Sequence, residues 1–144
     1  MSATIPLPRS EAAKAFPEFA SSELAGLVQA VREGIPTSRF DVLKELLDVS
    51  TEMLTEVVGI SLSTLSRRRR RGTFNKDESE RVLRIARIGL RAVDVLEGKE
   101  NARKWLTEPA RALSGEKPLE FADTEPGARE VERLLIRLKH GGYS

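Results

Sequence analysis

The sequence predicts an all-α fold: a helical bundle containing a central helix-turn-helix plus a small C-terminal helical domain. Three observations predict it. Apolar residues recur at helical spacing from Leu24 to Leu138, and no stretch alternates with the period of two that a half-buried strand requires. Capping and stopping residues punctuate these stretches, with Ser61 and Asn75 where helices open and Gly34, Gly59 and Gly98 where they close. Five consecutive arginines, Arg67 to Arg71, end one of the short helices.

Taken in order, residues 1–10 hold Pro6 and Pro8 with little apolar content, and are expected to be loosely docked. Helical patterning starts within 11–16 and resumes over 22–34. There Ser22 is a candidate cap, Leu24, Leu27, Val28 and Val31 form the apolar stripe, and Gly34 is the stop. Past Pro36, Phe40, Leu43, Leu46 and Leu47 form a second stripe. This acidic, one-sided region suits packing on its neighbour or pairing with a second copy.

Residues 51–71 carry the main motif. Leu54, Val57 and Val58 make a stripe ending at Gly59, where a left-handed backbone suits glycine. Ser61 is a favoured N-cap, and Leu62 and Leu65 are expected on one side of the helix it opens. Ser63, Ser66, Arg67 and Arg70 fall on another side. Two short helices around a tight glycine turn, the second basic and polar outside, read as a helix-turn-helix. Short side chains at Ser61, Ser63 and Ser66 let a helix sit deep in a major groove, where Arg67 and Arg70 can fork onto guanine edges. Arg68, Arg69 and Arg71 point elsewhere and suit phosphates, which set affinity and register.

Asn75 followed by Glu78 reads as a capping box. The helix it opens is expected to run to about Glu97, with Val82, Ile85, Ala86, Val93 and Leu96 on one side and Leu83 and Leu90 on another. Such a helix touches two neighbours and forms the spine. Arg81, Arg84, Arg87 and Arg91 are expected on a solvated face with acidic partners. Residues 100–108 give a short helix with Ala102, Trp105 and Leu106 inward. Gly115 and Pro118 are turn signals, Pro118 opening another short helix. A last helix, capped at Asp123 or Thr124, turns Val131, Leu134, Leu135 and Leu138 inward and stops at Gly141 and Gly142.

The charge distribution points the same way. Lys and Arg number 5 against 9 Asp and Glu in residues 1–60, 11 against 5 in 61–99, and 8 against 8 in 100–144. The positive field is concentrated in the middle third, as a polyanion-binding segment requires, and the expected partner is operator double-stranded DNA bound by a homodimer. No apolar run reaches membrane length and the first residues lack a signal peptide's core, so no membrane partner is expected. Absence of cysteine excludes disulfides and thiolate metal sites and fits a cytoplasmic location. With one His and no glycine-rich phosphate loop, the usual catalytic constellations lack their parts. The chain is expected to be no enzyme and to need no cofactor.

From Gly59 onward the order of motifs resembles the Xre/MbcA/ParS antitoxins of bacterial toxin–antitoxin pairs, whose partner carries a RES domain. The matching pieces are GISLSTLSRRRRRGTFNKDESERVLRIA (59–86), ENARKWLTEPARALSGEKPLEF (100–121) and DTEPGAREVERLLIRLKHGGYS (123–144). Residues 1–50 carry no part of it. The resemblance implies a transcriptional autoregulator whose helices from about residue 100 bind the toxin. It implies a RES-domain toxin that acts on NAD, degrading it or using it for ADP-ribosylation. It also implies steric neutralisation by the C-terminal end, here Leu138, Lys139, His140, Gly141, Gly142, Tyr143 and Ser144. Arg68 departs from the pattern, since that position is often apolar in related helix-turn-helix proteins.

The expected division is an N-terminal helical region at 1–50 suited to dimerisation, the DNA-binding helix-turn-helix with its long helix at 51–98, and a toxin-binding domain at 99–144. Two other readings stand beside it. One is a stand-alone helix-turn-helix regulator whose C-terminal domain binds a different protein or dimerises. The other is an interaction protein whose arginines are merely solvated.

Overall fold

A computed structural model describes residues 14–19 and 24–141. The expectations for residues 1–10, the first part of 11–16, the Ser22 cap, Gly142, Tyr143 and Ser144 lie outside them. Among the described residues eight helices follow in order: α1 Leu24–Glu33, α2 Ser38–Leu47, α3 Thr51–Val58, α4 Leu62–Arg71, α5 Lys76–Val95, α6 Lys99–Thr107, α7 Pro118–Phe121 and α8 Glu125–Lys139. Short 3-10 turns occupy Pro17–Phe19 and Arg111–Leu113. No strand forms among the described residues; Pro36 and Thr73 make an isolated antiparallel bridge.

The spine is α5, as the two-sided apolar pattern predicts. It packs against α1, α2, α3, α6 and α8. Val82, Leu83, Ile85, Ala86, Ile88 and Leu90 are all buried along it. Its start is fixed by a capping box: Asn75 Oδ1 accepts the Glu78 amide at 2.8 Å, while Glu78 Oε1 accepts the Asn75 amide at 2.9 Å. It ends at Val95, two residues short of the expected limit, because Glu97 (φ 59°) and Gly98 (φ 142°) leave helical space. Phe16 and Phe74, from outside the helices, join Phe40 and the other helical residues in one continuous core.

Three apolar expectations are corrected. Leu24 is 75% exposed and Val28 is also exposed, because α1 packs through its partly buried Leu27 and Val31. Leu62 is 51% exposed while Leu65 is buried, so the two do not share the inner side of α4. Trp105 is half-buried rather than an inward anchor. The last helix begins as expected, with Thr124 Oγ1 accepting the Gly127 amide at 3.1 Å. Gly127 lies so close to the Phe121 carbonyl that no side chain fits between α7 and α8 there.

Candidate nucleic-acid interface and C-terminal surface

The turn between α3 and α4 is built from backbone bonds and then clamped from the spine. Gly59 (φ 76°) and Ile60 both donate to the Thr55 carbonyl, at 2.8 and 3.0 Å. This satisfies one of the orphan carbonyls that every helix end leaves. Arg81 of α5 satisfies two more farther along, donating from Nε to the Val58 carbonyl at 2.7 Å and from Nη2 to the Gly59 carbonyl at 3.3 Å. The sequence pattern places Arg81 on a solvated face. Nothing in its spacing reveals a carbonyl 22 residues away.

Ser61 opens α4 as expected. Its Oγ accepts the Thr64 amide at 3.1 Å, donates to Thr64 Oγ1 at 2.9 Å and lies 3.2 Å from Ser63 Oγ. Arg67 Nη2 donates to the same Thr64 Oγ1 at 3.0 Å, which places its guanidinium along the first turn. Ser63, Ser66, Arg67 and Arg70 are all exposed, and the side chains of Ser66 and Arg70 bond no other described residue. Buried Leu65 anchors the opposite side.

The five arginines separate into distinct environments. Arg71 is exposed and donates to the Thr73 carbonyl at 3.3 Å. Arg69 reaches back to α2, with Nη2 2.8 Å from Asp41 Oδ1 and its guanidinium 5.9 Å from the Phe40 ring centre. Arg68 departs from the expected phosphate-facing position. It turns inward, and its Nε meets Glu78 Oε1 at 2.7 Å, with side-chain exposures of 19% and 6%. The inward turn has a partner to meet, because the α5 capping glutamate lies beneath it. The hydrogen bond to Glu78 raises the Arg68 guanidinium above its ordinary pKa. Burial pushes the Glu78 carboxyl up, but the Arg68 and Asn75 hydrogen bonds and the charges of Arg68 and Arg81 outweigh it, so the group titrates below its ordinary value.

The remaining α5 arginines hold α8. Arg87 makes a two-pronged contact with Glu132 at 3.0 and 3.2 Å, Arg84 lies 3.4 Å from Glu125, and Arg91 lies 3.6 Å from Glu132. Arg91 is 3% exposed rather than solvated. Burial lowers its pKa, opposed by the charge of Glu132. At the far end of α8, half-buried Leu138 joins Trp105 and Leu134 in lining a groove floored by residues 108–112. Exposed Lys139 Nζ lies 3.5 Å from Asp94, the His140 amide closes the helix on the Ile136 carbonyl, and Gly141 takes a left-handed turn (φ 71°). Among the described residues no cluster is arranged to hold a metal, and no helix is long and apolar enough to cross a membrane.

These elements define a helix-turn-helix protein carrying a second helical module on the same spine. The chain matches the Antitoxin Xre-like helix-turn-helix domain over residues 26–87 and the Antitoxin Xre/MbcA/ParS C-terminal toxin-binding domain over 91–141. It is 34% identical over 125 residues to an Antitoxin Xre of Photorhabdus laumondii, spanning 85% of this chain and 84% of that one. A Yersinia enterocolitica Antitoxin Xre is 33% identical over 120 residues, 82% and 81% of the two chains. A Prs ADP-ribosylating antitoxin of Sphingobium is 22% identical over 151 residues, 94% and 95% of the two. The chain belongs to the Xre/MbcA/ParS family of antitoxins, with a helix-turn-helix domain and a C-terminal toxin-binding domain.

Proposed function

We propose that this antitoxin binds and sterically neutralises a RES-domain, NAD-consuming toxin and represses its own operon as a homodimer reading operator DNA. The observation that carries the DNA half is the outer face of α4, where Ser63, Ser66, Arg67 and Arg70 are exposed beside a locked turn. Arg67 and Arg70 contact base edges, while Arg71 and Arg69 contact phosphates, Arg69 by exchanging an exposed carboxylate partner for the backbone. Ser61 orders the first turn, and Arg68 supports the helix from within. The toxin half rests on the C-terminal surface: the groove lined by Trp105, Leu134 and Leu138, with Lys139, His140 and Gly141 following in the chain and Gly142, Tyr143 and Ser144 completing the proposed contact by sequence alone. The division of labour follows 1–50, 51–98 and 99–144, with the exposed Leu24 and Val28 of the first region available to a second copy.

The test is co-purification of the tagged full-length protein with the product of the adjacent gene, alongside a Leu138→Arg form. A RES-domain protein retained by the first and lost from the second supports the proposal. Upstream DNA bound with no protein retained would favour a stand-alone regulator.

A further inference from the structure

We propose that Leu62 is a specificity-determining residue that reads thymine through its 5-methyl group. The inference rests on the DNA-binding reading of α4 and goes beyond it, because the arginines and serines of that helix account only for polar readout.

Leu62 is the first residue of α4, and the N-terminal residues of a recognition helix are those that approach base edges. It is 51% exposed, the largest apolar side chain on this helix in contact with water. The helix does not need it there, since Leu65 supplies the buried anchor and Ser61 supplies the cap. Its neighbours are also committed. Ser61 Oγ is bonded to Thr64 on both amide and hydroxyl, Ser63 Oγ lies against Ser61, and Thr64 Oγ1 receives Arg67. The first turn is therefore a fixed hydroxyl lattice from which one isobutyl group projects. An exposed carbon surface among polar side chains cannot pair with any donor or acceptor in the major groove. The one apolar feature that groove offers is the thymine methyl, present on T and absent from A, G and C. At helical spacing Leu62 lies beside Ser66, four residues on, so the methyl it covers is adjacent to the bases reached from Ser66 and Arg70.

Deoxyuridine differs from thymidine only by that methyl, and so isolates the contact. Full-length protein would be titrated against its own upstream DNA, prepared with thymidine or with deoxyuridine, and against a scrambled duplex at the same salt concentration. Wild type is expected to lose affinity by about fourfold for each methyl contacted when uracil replaces thymine. In Leu62→Ala that thymine–uracil ratio falls to near one while preference for upstream over scrambled DNA persists. Leu62→Ser, a second truncation that preserves an exposed polar surface, behaves likewise. An equal thymine–uracil ratio in wild type and both variants overturns the assignment, since the methyl is then sensed through DNA shape or another residue. Wild type that cannot distinguish upstream from scrambled DNA fails at an earlier step, and removes the DNA reading itself.

Discussion

Replacing Glu78 tests how the recognition helix is held at its angle. One carboxylate oxygen, Oε1, serves two donors: Arg68 Nε at 2.7 Å and the Asn75 amide at 2.9 Å. Alanine removes the reciprocal half of the capping box, a loss of about 1 kcal/mol. It also removes a hydrogen bond from a charged donor, which contributes about 1.5–3 kcal/mol when well shielded. The guanidinium regains water on release, so solvent screening brings the expected total for Glu78→Ala to about 2 kcal/mol. For a chain of this length that lowers Tm by about 4–8 °C. Glutamine keeps a carbonyl oxygen able to accept both bonds and loses only the charge, so Glu78→Gln is expected to cost less than half as much. The pH dependence has a definite sign. The folded-state pKa of Glu78 lies below its ordinary value. Its stabilisation is therefore complete above an unfolded value of about 4.3 and is lost as pH falls through the folded value. Circular-dichroism melts of wild type and both variants, from neutral pH into acid, measure all of this. The wild-type advantage over glutamine should shrink in acid. Alanine as stable as wild type, or a glutamine gap that widens in acid, would refute the reasoning.

The other predictions concern DNA, packing and toxin in turn. Arg71→Ala should reduce the slope of log affinity against log salt by about 0.9 for each phosphate it no longer neutralises, whereas Arg68→Gln should leave the slope unchanged because its guanidinium faces Glu78. Filter-binding isotherms at several salt concentrations separate the two, and a slope that falls equally in both would return Arg68 to the DNA face. Gly127→Ala forces a methyl into the Phe121 carbonyl, and should destabilise the fold by about 1–3 kcal/mol in urea denaturation. Since Trp105 is the only tryptophan and lines the C-terminal groove, toxin docking there should shift its fluorescence emission to shorter wavelength. Unchanged emission in a complex that co-purifies would move the toxin-binding surface off the groove.

Local signals made most of the fold legible. Ser61 and Asn75 cap their helices where sequence placed them, Thr124 is the cap among the two candidates Asp123 and Thr124, and Gly59 ends α3 in the left-handed conformation expected of it. These features are decided within a turn or two of chain, where residue type and backbone geometry are tightly linked. The misplaced arginines depend on partners distant in sequence. Arg68, Arg81 and Arg91 have the spacing of surface charge, yet each is held by a group 10 to 41 residues away, at Glu78, Val58 or Glu132. Leu62 has the spacing of a core residue because the helical period puts it near Leu65. The side of α4 that it occupies has no neighbouring helix to cover it. The candidate recognition face was therefore readable as a set of residue types, but not as the particular residues that hold it and the one apolar group it displays.

The most direct test of the central claim is the NAD content of cells expressing the product of the adjacent gene, the proposed toxin, together with this protein, wild type or Leu138→Arg. The account predicts that wild type restores NAD and growth. The variant should fail to do so while still binding upstream DNA. Toxin expression that leaves NAD untouched would contradict the assignment of the partner, and a variant that protects as fully as wild type would contradict the role of the C-terminal surface.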